Sequence, residues 1–197
     1  MKLILWMVIA VILLSSCSTI SRFPGKNLNG EKNIINNPSF EIASLGSDSF
    51  PASWTSLDGQ EDNIYTVDKS RDNIGKCLKI EKCNGYARLI SDSFEIDAQA
   101  VYFTRCYVKS TNYNREPVIL HFFAFDADGN KVNDFKTEII IKENWTPIEL
   151  TTGFFANSAS VARLGISIPE CSQNTAYWVD DVGSYNIHKF AYRYQVD

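Results

Sequence analysis

The chain is poor in the residues that most catalytic motifs need. It has two histidines, His121 and His188, in 197 residues. Neither belongs to an H-E-x-x-H pair and no G-x-S-x-G elbow occurs, so the signatures of zinc proteases and α/β-hydrolases are absent. Each histidine therefore reads as a surface or groove residue rather than as a catalytic base. No two of the five cysteines stand in a C-x-x-C pair, which removes the spacing of zinc ribbons and thioredoxin-like sites. No apolar run reaches the roughly 20 residues that a membrane-spanning helix needs. Long segments with a 3.6-residue period are missing as well, which argues against a helical fold. Basic residues are scattered among acids over the whole length, so the clustered charge that grips a phosphate backbone is lacking, and nucleic acid is excluded as a partner.

What is present begins at Lys2, a positive charge ahead of the unbroken apolar run Leu3 to Leu14. A run of this length suits a secretory signal. It ends in Leu14-Ser15-Ser16-Cys17, which resembles the lipobox of bacterial lipoproteins, with Ser16 in place of the usual Gly or Ala. The resemblance implies cleavage after residue 16, lipid on Cys17 and anchoring in the cell envelope. Ser18 is not the Asp that retains lipoproteins at the inner membrane in many two-membrane bacteria, so an outer-membrane destination is expected. Residues 17–32 contain Pro24, Gly25 and Gly30 and read as a flexible tether. Without Lys2 the mature chain carries 18 basic and 23 acidic side chains, a net charge of −5.

The rest is a succession of short β runs. Candidate strands are 38–43, 63–67, 76–82, 86–96, 101–109, 117–126, 135–141, 146–152, 161–168 and 176–187, divided by Asn, Asp, Gly, Ser and Pro clusters. Runs of this length and spacing predict an all-β, two-sheet antiparallel sandwich of jelly-roll type. Alternation in 101–109 places Tyr102, Thr104, Cys106 and Val108 on a core face, with Phe103, Arg105, Tyr107 and Lys109 opposite. In 161–168 the apolar face is Ala162, Leu164, Ile166 and Ile168. Cys77, Cys83, Cys106 and Cys171 would enter an oxidising compartment on export, and four cysteines allow three pairings that the sequence does not choose between. Asp126-Ala127-Asp128-Gly129-Asn130 looks at first like a calcium loop. In an EF-hand Gly stands sixth and Glu twelfth, whereas here Gly129 is fourth and Thr137 twelfth, so a hairpin turn is expected.

Asn33-Ile34-Ile35-Asn36-Asn37-Pro38-Ser39-Phe40-Glu41 and Pro51-Ala52-Ser53-Trp54 resemble the opening of carbohydrate-binding modules of the group containing families 4, 9, 16 and 22. The likeness continues through Cys77-Leu78-Lys79-Ile80, residues 102–110, the 125–130 hairpin and Trp145, and closes on Ala176-Tyr177-Trp178-Val179-Asp180-Asp181-Val182. It covers residues 33–187 and leaves 188–197 as an aromatic-rich tail. The resemblance implies a galactose-binding-like β-jelly-roll that binds glycans without catalysis and carries a structural calcium. Glu41 and Asp180 are its implied side-chain ligands, with Asp181, on the other side of its strand, as a further metal candidate.

Sugar recognition needs aromatic platforms beside multidentate donors. Tyr86, Arg88, Phe103, Arg105, Tyr107, His121 and Arg163 stand on strand faces opposite the core and are the expected groove, with Trp178 beside the acid pair as a further candidate. Trp54 and Trp145 read as packing residues. The expected function is a glycan-binding surface lipoprotein, not an enzyme. The alternatives are a structural or protein-binding lipoprotein that retains the fold, or an accessory subunit of a glycoside hydrolase system.

Overall fold

A computed structural model describes residue 28 and residues 30–46, 50–59, 61–67, 70–112, 115–171 and 174–189. The signal segment, Cys17 and the end of the tail lie outside these residues. The chain divides into two units, residues 1–30 and 31–197, and the second carries all the described sheet structure. Eleven strands are described: β1 (Trp54–Ser56), β2 (Ile64–Val67), β3 (Cys77–Glu81), β4 (Ala87–Ser91), β5 (Phe94–Glu95), β6 (Ala100–Ser110), β7 (Val118–Phe125), β8 (Lys131–Ile139), β9 (Thr146–Thr152), β10 (Val161–Ile168) and β11 (Ala176–Lys189). One sheet has the order β1-β4-β10-β7-β8, with β5 also paired to β10, and the other is β2-β3-β11-β6-β9. All pairings are antiparallel, giving the expected two-sheet sandwich. No helix among the described residues is long and apolar enough to cross a membrane.

Alternation decides which side chains meet between the sheets. Val118, Leu120, Phe122 and Ala124 of β7 are buried, as are Ala162, Leu164, Ile166 and Ile168 of β10 and Tyr102, Thr104, Cys106 and Val108 of β6. Aromatic rings close one end of this core: Phe122 stands 5.8 Å from Phe94, 5.8 Å from Tyr102 and 5.6 Å from Phe155, centroid to centroid. Thr104 and Ser184, the polar pair within it, satisfy each other through their hydroxyls at 3.0 Å.

Three strand expectations are revised. Residues 38–43 form no strand, only a bridge between Ala43 and Pro51, because Asn37 and Phe40 both adopt positive φ. The Asn37 side chain then replaces ladder bonds, donating to the Ile42 and Ala52 carbonyls and accepting from the Ile42 N–H. The run 86–96 breaks into β4 and β5 at Ser91 and Asp92, where the Asp92 N–H turns to the Ser53 carbonyl and Ser91 Oγ accepts the Leu164 N–H. The short strand β1 at Trp54 was not anticipated. The 126–130 segment is a hairpin turn: Asp126 Oδ1 accepts from the N–H groups of Asp128 and Asn130, and Gly129 takes φ 83°.

Candidate functional site

The side chains expected to form one groove divide between two opposite faces of the sandwich. Arg88, His121 and Arg163 lie on the six-stranded sheet, with Tyr86 one residue before β4, whereas Phe103, Arg105, Tyr107 and Trp178 lie on the five-stranded sheet. Alternation reports the side of a strand on which a residue stands, not which strands share a sheet.

On the five-stranded sheet, register aligns Tyr65, Lys79, Trp178 and Lys109 in one transverse row that Trp145 extends beside β9. Rings and cations alternate along it. Lys79 Nζ is 5.4 Å from the Tyr65 centroid and 5.9 Å from that of Trp178, and Lys109 Nζ is 5.0 Å from Trp178 and 4.8 Å from Trp145. Below the row, Arg71 lies 4.1 Å over the Tyr107 ring and Arg105 stands 5.0 Å from it. Each such contact contributes about 0.5–1 kcal/mol at partly exposed sites. A sugar would have to displace these cations before stacking on the rings. Phe103 is 1% exposed and is withdrawn as a contact residue: β6 is an inner strand, and Phe103 is flanked in register by Tyr185 and Thr151. Trp54 is buried against Phe40, 5.4 Å between centroids, as expected of a packing residue.

The six-stranded face is built differently. His121 and Phe123 of β7 have their rings 5.0 Å apart and 17° from parallel. Phe123 leans over Gly165 of β10, where a Cβ would come within 2.7 Å of the ring edge and 3.2 Å of the His121 Cβ. Glycine is what lets the ring lie down on the sheet. Polar groups surround this platform. His121 Nδ1 faces Asp134 Oδ1 at 3.5 Å and Nε2 faces Ser167 Oγ at 3.4 Å. Lys131 pairs with Asp134 at 3.0 Å and sits 5.2 Å from the Phe123 centroid. Arg163 Nε donates to the Ser91 carbonyl at 2.9 Å, and Arg88 pairs with Asp58 at 3.4 Å. Burial holds His121 below the usual histidine value against the opposing pull of Asp134, so the ring is neutral at pH 7 and offers one donor and one acceptor. Burial, with Glu116 and Glu138, pushes the Tyr86 phenol up and keeps it a donor.

Phe123, Asp134, Gly165 and Ser167 were not anticipated. The segment Val118-Ile119-Leu120-His121-Phe122-Phe123-Ala124-Phe125 is apolar on both faces, so its alternation is hidden. His121 was the available signal, since the residue two places on shares its face. Asp134, His121 and Ser167 have the types of a nucleophile, base and orienting acid. Their order of contact matches as well, at 3.5 and 3.4 Å, and what differs is the setting of the serine. Ser167 is 6% exposed, and β10 is ladder-bonded on both sides, leaving no pair of backbone N–H donors for an oxyanion.

Glu41 and Asp180, 139 residues apart, converge on one loop. Glu41 Oε1 accepts the Lys76 N–H at 2.7 Å, and Asp180 Oδ2 accepts the Arg71 N–H at 2.7 Å. Asp180 Oδ1 accepts from the Asp181 N–H, and burial pushes the Asp180 carboxyl up. Asp181, at a β-bulge with φ 48°, turns to Arg71 and binds its guanidinium at 2.6 and 2.8 Å. The Glu41 and Asp180 carboxylates therefore bond to residues five apart on the 70–76 loop, with no contact between them. No group of three or more His, Cys, Asp or Glu suited to a metal occurs among the described residues. The positive charge in contact with Asp181 is Arg71.

No family model matches the chain, and no curated protein matches it. Among solved structures it superposes on a family 16 carbohydrate-binding module at TM-score 0.56 and 14% identity, over 78% of this chain and 100% of that one. It also superposes on part of a Clostridium thermocellum xylanase structure that comprises CBM22-1 and GH10 modules in complex with xylohexaose, at TM-score 0.56 and 16% identity, over 80% of this chain and 29% of that one. The fold is that of carbohydrate-binding modules. A bacteriophage CBA120 tailspike domain, described as enzymatically active, gives TM-score 0.60 at 12% identity over 79% of this chain. The chain spans 21% of that structure, so the comparison concerns one part of a larger assembly. At these identities the shared property is the carbohydrate-binding-module fold, and the ligand has to be argued from the site.

Proposed function

We propose that this protein binds carbohydrate without catalysis through the outer face of the six-stranded sheet. The observation that carries the reading is the His121–Phe123 platform laid against Gly165 and ringed by Ser167, Asp134, Arg163 and Arg88. A pyranose presents axial C–H groups to such a ring and hydroxyls to the donors and acceptors around it. The rings of the five-stranded sheet offer less, because Tyr107 and Trp178 each carry two cations whereas Phe123 carries one, Lys131. A glycan array followed by calorimetry on the best ligand is the test. Saturable binding that falls with Phe123→Ala and survives Tyr107→Ala supports this face; the reverse pattern moves the site to the other sheet. Recovery of a protein partner with no glycan signal would favour the protein-binding alternative.

We also propose the lipid anchor at Cys17, on the strength of Lys2, the apolar run and the lipobox-like segment. Several acyl chains on one residue would hold firmly, since each buried methylene contributes about 0.8 kcal/mol. Cys17→Ser is expected to move the protein from the detergent phase to the aqueous phase, and unchanged partitioning would remove the anchor. Calcium is proposed as a structural ion held by Glu41 and Asp180 with carbonyl oxygens of the 70–76 loop. An ion that binds only the folded state raises its melting midpoint by mass action. The midpoint is expected to rise with calcium and fall with chelator in the wild type, with Glu41→Gln insensitive to both. A wild type that ignores both additions has no such site.

A further inference from the structure

Cys83 follows β3 and precedes β4, and Cys171 follows β10, the strand paired with β4. The ladder ends at Ala87↔Ile168, and beyond both strand ends the two segments meet again where the Cys171 N–H donates to the Cys83 carbonyl at 3.1 Å. Both side chains turn inward and are buried. Both thiols approach one acceptor, the Pro169 carbonyl, at 3.8 Å from Cys83 Sγ and 3.6 Å from Cys171 Sγ, and each thiol is also in hydrogen-bond reach of the other. Two cysteines joined backbone to backbone with converging sulfurs meet the distance requirement for a disulfide.

Cys77 and Cys106 are not placed to form a second bridge. Cys77 lies on β3 and Cys106 on β6, and β11 runs between those strands. Strands two apart in a sheet are about 9.5 Å from each other, beyond the roughly 7 Å limit for bridged Cα atoms. Cys106 also points into the core with Tyr102 and Val108, whereas Cys77 shares the outward side of β3 with Lys79.

We propose that Cys83 and Cys171 form a disulfide when the chain is exported, and that Cys77 and Cys106 remain thiols. Each cysteine loses one proton and one electron as the S–S bond forms, and the two electrons reduce the disulfide of an oxidising partner, a dithiol oxidase or oxidised glutathione, to thiols. Both thiols are buried once the domain has folded, so the exchange with the oxidising partner precedes closure of the core. The bond would join the end of β10 to the loop entering β4, at the rim of the face that carries Tyr86, Arg88 and Ser167. Its evidence is independent of the glycan reading.

The test uses the full chain secreted to an oxidising compartment, unfolded without reductant, alkylated and digested. The expected result is a linked pair of peptides containing Cys83 and Cys171, with Cys77 and Cys106 alkylated. Alkylation of all four, or a linkage through Cys77 or Cys106, overturns the proposal. A second measurement stands apart from mapping: reductant is expected to lower the wild-type melting midpoint by about 5–15 °C and to leave Cys83→Ser/Cys171→Ser unmoved. A wild type whose midpoint ignores reductant overturns it equally.

Discussion

Replacing Gly165 with valine is expected to cut glycan affinity by at least about tenfold while the domain still folds. Gly165 sits in an inner strand, ladder-bonded on both sides, at a backbone conformation that other residues adopt, and valine is well suited to strands. Its side chain would enter the space under Phe123, where even a Cβ stands 2.7 Å from the ring edge. The ring has to lift, and the flat stack with His121 is lost. The atom displaced is the far end of an outward-facing side chain rather than backbone or core, so the melting midpoint should fall by only a few degrees. An aromatic contact worth roughly 1.4 kcal/mol corresponds to a factor of ten in affinity. Calorimetry on the glycan identified by the array reads the change, with circular dichroism as the control for folding. Wild-type affinity in Gly165→Val would show that the platform plays no part in binding.

The second large effect concerns stability. Phe122 is fully buried and its ring contacts Tyr102 of the opposite sheet, Phe94 of its own sheet and Phe155 of the loop after β9. Phe122→Ala removes a large side chain from a site whose three ring neighbours are anchored on three different segments and cannot collapse together, so the loss is expected at about 3–5 kcal/mol. Against the 5–15 kcal/mol total typical of a domain, that is a substantial share. It should appear as a fall of roughly 6–20 °C in midpoint and an equivalent shift in urea. Phe123→Ala, one residue along and on the opposite face, should change stability far less and binding far more. That pair separates the two sides of β7 in one experiment.

Much of the scaffold was legible because strand alternation is a local property. The core faces of β6 and β10 follow from a period of two, and the 126–130 turn follows from an Asp that can accept neighbouring N–H groups and a Gly that can take positive φ. The local reading failed where a segment satisfies its backbone through side chains. Asn37 and Ser91 do this at 37–42 and 91–92, and both segments had looked like continuous strand.

The candidate site was legible residue by residue and not as a set. Tyr86, Arg88, His121 and Arg163 were correctly placed away from the core, and so were Arg105, Tyr107 and Trp178, yet the two groups stand on opposite sides of the protein. No local pattern records that β10 lies between β4 and β7 or that β11 lies between β3 and β6. Phe103 shows the same limit in one residue: its alternation is outward, and its place in an inner strand makes it buried.

The sequence by itself determined the β class, the faces of most strands, the turn chemistry and the residue types available for recognition, because each depends on spacing along the chain. Tertiary structure alone decided which rings carry two cations and which carry one, why Gly165 must be small, and that Cys171 meets Cys83. Those are relations between strands far apart in sequence, set by the order in which the sheets assemble around a shared core.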